Sequence, residues 1–177
     1  MIDILQKACE DKILIAIYTN RDDYDKFSAG YVLDVSEEEL LIKHLTPNGE
    51  FDGYSVRKTD SVYRVESNSL YLDKVKKLFE LKKESASLPD IDTNEDILLN
   101  TIKFAMNNNF VVTICIGENA CDITGYIKNI NDGNIKILQI SEYGQNDGET
   151  IFLLQDILKI CVCDTECRDL DILYRNK

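Results

Sequence analysis

Gly30-Tyr31-Val32-Leu33-Asp34-Val35 and Gly125-Tyr126-Ile127-Lys128-Asn129-Ile130 are one stretch of sequence written twice, 95 residues apart. The offset holds without a gap for about 35 positions. Leu40, Ile42 and Leu45 fall on Ile135, Ile137 and Ile140, and Gly49 and Gly53 on Gly144 and Gly148. Val62, Arg64 and Val65 fall on Ile157, Lys159 and Ile160. Apolar residues and glycines match while most polar residues do not, as expected of two copies of one fold whose surfaces have diverged. A repeat of this length is a small domain rather than a solenoid unit.

The 177 residues therefore divide into two domains, each near the lower size limit for an independent core. Residues 1–84 form the first, with an appended helix at about 70–83. Residues 85–92 are a linker containing Ser85, Ser87 and Pro89, and residues 93–177 form the second. The net charge is -12, carried as 13 Lys and Arg against 17 Asp and Glu in residues 1–88 and 7 against 15 in residues 89–177. Such a surface repels phosphate backbones on average, so no DNA partner is expected, and any basic patch lies in the first half. No run approaches the roughly 18 apolar residues of a membrane span, and Met1–Lys7 does not read as a targeting segment. A cytoplasmic protein without membrane contact is expected, its six cysteines reduced.

Each copy opens with a helix. Ile4, Leu5, Ala8 and Cys9 share one helical face, as do Ile97, Leu98, Thr101, Ile102, Ala105 and Met106. Thr93-Asn94-Glu95-Asp96 resembles a capping box before the second helix, and Asn107-Asn108-Asn109 ends it. Strands follow at Lys12–Tyr18 and Phe110–Ile116, then the glycine-led strands, then apolar alternation after Ser36-Glu37-Glu38-Glu39 and after the hairpin signal Asn131-Asp132-Gly133-Asn134. Two further short strands are expected at Tyr54–Lys58 and Ser61–Glu66, with Thr150–Leu154 and Asp156–Cys161 in the second copy. Tyr71, Val75, Leu78 and Phe79 then recur at helical spacing.

A helix followed by five short strands, with a glycine early in the second, resembles the Sm-like (LSm, Hfq-like) fold family. The resemblance covers most of each copy. It is carried by Ile13–Tyr18, Gly30-Tyr31-Val32, Leu40-Leu41-Ile42-Lys43 and the block Val56-Arg57-Lys58-Thr59-Asp60-Ser61-Val62-Tyr63-Arg64-Val65. It implies a mainly β chain with α-helices: two tandem five-stranded, strongly bent antiparallel barrels, each with an N-terminal helix. Gly30 and Gly125 are then the structural bends, because glycine inside a strand marks a bend or a close backbone approach. The family holds RNA at two turns. Here the first reads Ser36-Glu37-Glu38-Glu39 in copy 1, and Asn131 and Asn134 around Asp132 in copy 2. The second reads Arg57-Lys58-Thr59 in copy 1 and the uncharged Phe152-Leu153-Leu154 in copy 2. The resemblance thus places an RNA face in copy 1.

Catalytic chemistry finds no constellation. His44 is the single histidine, between Lys43 and Leu45 on a strand. No nucleophile set, phosphate loop or metalloprotease motif can be assembled. Asp22-Asp23-Tyr24-Asp25 lacks the spacing of a calcium loop and reads as a solvated turn. Cys161-Val162-Cys163 places two thiols on one side of a strand, with Cys167, Cys115 and Cys121 elsewhere, but no CxxC knuckle accompanies them. Core thiols are the expectation, and neither metal nor cofactor is assigned. Tyr54, Arg57, Lys58, Tyr63 and Arg64, with Lys74, Lys76 and Lys77 on the following helix, interleave cations with aromatic rings as single-stranded RNA requires. The sequence therefore points to a non-catalytic binding or assembly module of tandem Sm-like domains. Its partner is a protein or a second copy engaged through strand edges; the alternative is an RNA-binding regulator acting through the first domain.

Overall fold

The structure, a computed structural model, describes residues 1–82, 91, 93, 96–117 and 122–176. The chain folds as two compact units, Met1–Asp90 and Ile91–Lys177. It is mainly β, with four α-helices among the described residues. The first unit runs α1 (Ile2–Glu10), β1 (Leu14–Tyr18), β2 (Ser28–Val35), β3 (Glu39–Leu45), β4 (Phe51–Lys58), a 3-10 turn (Thr59–Ser61), β5 (Arg64–Ser67) and α2 (Leu70–Lys82). The second runs α3 (Ile97–Asn107), β6 (Val111–Cys115), β7 (Ile123–Asn131), β8 (Asn134–Ile140), β9 (Asn146–Leu153), a 3-10 turn (Leu154–Asp156), β10 (Lys159–Val162) and α4 (Thr165–Arg175). All pairings within each unit are antiparallel, in the orders β5-β1-β2-β3-β4 and β10-β6-β7-β8-β9. From β3 to the fifth strand, every element of one unit sits 95 residues from its counterpart.

The copies share their irregularities too. The β2–β3 register shifts between Val32 and Asp34, and the β7–β8 register shifts between Ile127 and Asn129. A Cβ on Gly30 would lie 2.4 Å from the Lys43 carbonyl oxygen, and one on Gly125 2.0 Å from that of Leu138. Both glycines let a neighbouring strand's backbone come closer than any side chain permits. Gly49 and Gly144 have φ of 70° and 69°, and a Cβ on either would meet the Cβ of Leu78 or Leu173, on α2 or α4. The β3–β4 and β8–β9 turns thus touch the helix that ends their own unit.

In the first unit Leu5 and Ala8 of α1 pack with Ile15, Ile17, Val32, Leu40, Ile42 and Val62. The other face of β1, Leu14, Ala16 and Tyr18, packs with Ala29, Leu45 and with Leu72 and Val75 of α2. β1 is therefore buried along its whole length, which explains its unbroken apolar run. The second unit buries Val112, Ile114, Ile127, Ile135, Ile137 and Ile157, with α3 against β7, and packs Val111, Tyr126 and Ile140 with Cys167 of α4.

Several expectations need correction. The strands do not close into barrels: β4 shares no ladder with β5, nor β9 with β10, and in the first unit an amphipathic helix packs on one face of the sheet instead. Ile4 is 55% exposed, because α1 buries only Leu5 and Ala8. The cap of α3 is Asp96, which accepts from the Leu99 N–H at 2.7 Å, three residues later than the capping-box spacing suggests. β4 starts three residues early and β9 four, running through Gly53 and Gly148, which the sequence pattern reads as turn glycines and which keep a positive φ inside the strands. α4 is an unforeseen helix, capped by Asp164 accepting from the Cys167 N–H at 2.8 Å. Most of the expected linker at 85–92 lies outside the described residues.

Substituting Gly125→Val or Gly30→Val is expected to lower stability by about 3 kcal/mol or more, because the obstacle is backbone rather than a movable side chain. Gly133→Ala, with φ of 76° but open space around the added carbon, is expected to cost only about 1 kcal/mol. Urea unfolding midpoints of the three variants check the order.

Candidate functional site

The five residues proposed for RNA contact separate into two groups. Tyr54 and Arg57, on β4, are buried. The Arg57 guanidinium donates to Thr19 Oγ1 at 3.2 Å, Ser55 Oγ at 3.4 Å and Ser28 Oγ at 3.5 Å. Ser55 Oγ also lies 2.6 Å from His44 Nε2. A charged side chain thus crosses the sheet surface on hydroxyl groups, which satisfy its two terminal guanidinium nitrogens. Tyr54 packs edge-on against Phe51, and Lys58 Nζ lies 3.7 Å from the Glu39 carboxylate. Neither buried residue offers a ring or a charge to a ligand at the surface.

Tyr63 and Arg64 lie in an aromatic–cation cluster. The Arg64 guanidinium sits 4.3 Å from the Tyr18 ring centroid and pairs with Glu66. Arg21 sits 5.0 Å from the Tyr63 ring, Tyr24 meets that ring edge-on, and the Tyr63 hydroxyl donates to the Asn20 carbonyl at 3.1 Å. Tyr18 continues to Phe27, and Phe27 to Tyr71 on α2. Burial, and then the Glu66 carboxylate, push the Tyr18 hydroxyl pKa up. The sequence concealed this cluster because Arg21 and Tyr24 sit in a loop dominated by Asp22, Asp23 and Asp25.

The second unit presents a different feature. Among the described residues β9 pairs with β8 alone. The Leu154 N–H donates to the Gly133 carbonyl at 2.8 Å, which fixes the ladder phase: Ile135–Phe152 and Ile137–Thr150 are its hydrogen-bonded pairs. The N–H and C=O groups of Glu149, Ile151 and Leu153 consequently point away from β8. Ile151 is 63% and Leu153 41% exposed, whereas Val56, which matches Ile151, is 2% exposed. Leu41, buried on β3, is matched by Lys136, which pairs with Glu149 at 2.6 Å. The Sm-like resemblance already implies a pairing edge at Thr150–Leu154 of the second copy, although the apolar pattern of that segment taken alone reads equally well as core.

Among the described cysteines Cys163 and Cys167 are buried, and Cys9, Cys115 and Cys161 are half-buried. The strand ends at Val162, and Cys163 has φ of 61°, so Cys161 and Cys163 do not share a strand face as expected. Cys167 Sγ lies 3.5 Å from Thr113 Oγ1, under α4. Burial pushes the Cys163 thiol up to about 12 and raises Cys167 as well. Among the described residues no group of three or more His, Cys, Asp or Glu is placed to hold a metal ion, and Cys121 lies outside them. No described helix is long and apolar enough to cross a membrane.

No protein-family model matches the chain, nor does any curated protein or solved structure.

The Tyr126 hydroxyl is also raised, to about 12, by burial first and then by its hydrogen bond to Asp171. The fold holds these three groups neutral. Their contribution to stability is complete below the unfolded values of 9.0 for the thiols and 10.0 for the tyrosine, and is lost as pH rises toward about 12. Melting temperature is expected to fall steadily above pH 9. At pH 8, Cys163 and Cys167 are expected to alkylate at least about a hundredfold more slowly than in the urea-unfolded chain, read by mass spectrometry of the labelled peptides.

Proposed function

We propose that the chain is a non-catalytic binding and assembly module built from two tandem Sm-like domains, acting through a strand edge. Each unit supports this reading with an opening helix, five antiparallel strands in the order fifth-first-second-third-fourth, and a glycine early in the second strand. The observation that carries the function is β9. It offers three outward N–H and C=O pairs beside two exposed apolar side chains; its own sequence holds no lysine or proline, and among the described residues no further strand pairs with it. An extended segment of a protein partner or of a second copy adds to such an edge by main-chain hydrogen bonds, and its side chains meet Ile151 and Leu153.

Ile151→Pro tests this directly. It removes an outward donor and leaves the β8–β9 ladder intact, so the cost to the fold is expected to stay within about 1 kcal/mol. Light scattering at two concentrations is expected to show association by the parent chain that the variant loses. A monomer at both concentrations, with the variant indistinguishable from the parent, would rule out self-association through β9.

A second reading, RNA binding through the first domain, is favoured by one observation: Tyr24, 65% exposed, lies against Tyr63 beside Arg21 and Arg64. It now rests on the exposed cluster, because Tyr54 and Arg57 are buried. Filter binding of A-rich and U-rich oligonucleotides at low salt tests it. If RNA contacts this cluster, removing both arginines reduces the slope of log affinity against log salt by about 1.4.

A further inference from the structure

The outward backbone groups of β9 belong to Glu149, Ile151 and Leu153, a set centred on Ile151. An antiparallel strand of the same sequence therefore matches it end for end. With Ile151 opposite the second copy's Ile151, Glu149 of each copy lies opposite Leu153 of the other. Each of these pairs exchanges two main-chain hydrogen bonds. A shift of two residues in either direction leaves one outward residue of each copy without an outward mate. Leu153 then meets Asp147, past the register shift between Leu138 and Ile140, or Glu149 meets Gln155 in the 3-10 turn.

The side chains match in this register as well. Residues directly opposite share a face, so the centre of the seam is the two exposed Ile151 side chains, and each end sets Leu153 of one copy beside Glu149 of the other. Glu149 keeps its pairing with Lys136, which stands on β8, on the far side of β9 from the seam. Lys136 lies in the row of Ile151, so each Glu149 is one row from the Lys136 of both copies. No two like charges face each other across the seam. Pairing about a two-fold axis covers the apolar side chains of both edges in one step and stops at two chains. An edge that closes in this way does not go on to template further chains. The net charge of -12 on each chain opposes the approach at long range, and salt screens that repulsion.

We propose that β9 pairs with β9 of a second copy of this chain, about a two-fold axis at Ile151, to form a dimer. This names the partner and register within the edge reading and rests on it. Sedimentation equilibrium of the full chain tests it on the parent, on Ile151→Pro, and on Leu153→Lys, Leu153→Gln and Leu153→Glu, three changes at an exposed side chain. The parent is expected to be a dimer whose dissociation constant falls about threefold as salt rises from about 50 to about 300 mM. In this register position 153 faces Glu149 of the other copy at both ends of the seam. Leu153→Lys is therefore expected to dimerise about fivefold more tightly than Leu153→Gln, and Leu153→Glu about fivefold more weakly. Ile151→Pro is expected to be monomeric. A parent chain that stays monomeric overturns the proposal and leaves β9 to a different polypeptide. So does an assembly larger than a dimer, or a dimer lost in Ile151→Pro that shows no Lys, Gln, Glu order at position 153. Association that survives Ile151→Pro overturns the edge reading itself, so the two failures are separately visible.

Discussion

The carbonyl oxygens of Lys43 and Leu138 occupy space that a Cβ on Gly30 or Gly125 would need, and the architecture of both units depends on that approach. That close approach, with the register shifts after Val32 and Ile127, sets how the second strand lies on the third. In the first unit Leu5 and Ala8 pack with Ile15, Ile17 and Ile42 on one face of the sheet. An apolar layer then remains on the other face of β1, and α2 covers it with Leu72 and Val75. Helix, sheet and helix form one stack, and the glycine lets its strands approach. The positive φ at Gly49 and Gly144 completes it, because the turn can then lie directly on the terminal helix.

Duplication of this unit preserved the frame and released the surface. The residues that match between copies are the glycines, the inner apolar positions and the shifted registers beside Val32 and Ile127. What differs is the outer face of the third and fourth strands. Leu41 and Val56 are buried in the first copy, while Lys136 and Ile151 stand in their places exposed or half-exposed in the second. The hydroxyl-supported row of His44, Ser55 and Arg57 becomes Gln139, Thr150 and Phe152. None of these exchanges touches the stack of helix, sheet and helix, so the fold tolerates them, and the two copies are free to present different chemistry.

The frame was legible in the sequence because it rests on features with a local signature. Alternating apolar residues, a glycine at a fixed offset and an Asn-Asp-Gly-Asn turn survive in both copies, and each reports its own strand or turn. The misses have a common cause, which is that they depend on neighbours distant in sequence. Arg57 reads as a surface cation until Thr19, Ser28 and Ser55 are seen to receive it. Tyr18, Phe27, Tyr63 and Tyr71 come from four segments and form one aromatic run only when β5 and α2 fold beside β1. α4 was hidden because Cys167, Leu170 and Tyr174 alternate with Glu166, Arg168, Asp169 and Asp171, and the preceding thiols suggested a longer strand. Barrel closure is what the Sm-like resemblance implies, whereas the amphipathic pattern of the first helix reports only that one face of the sheet is covered.

Electrostatics bears on which partners this frame admits. Cations of the first unit are drawn inward or onto rings: Arg57 lies on hydroxyls, Arg64 over Tyr18, Lys43 over Phe51 and Phe79. Lys58 and Lys82 pair with Glu39 and Glu50. With 32 acidic against 20 basic side chains, many carboxylates have no basic side chain to answer them, and the long-range field is negative. A polyanion approaching Tyr24 and Tyr63 must work against that field and displace Arg21 or Arg64 from its ring. A basic polypeptide is drawn in by the same field. An extended partner that brings backbone donors to β9 is insensitive to the sign of the field at the ladder itself, since main-chain hydrogen bonds carry no net charge. The edge supplies attachment, and the acidic surface biases which chains arrive to use it.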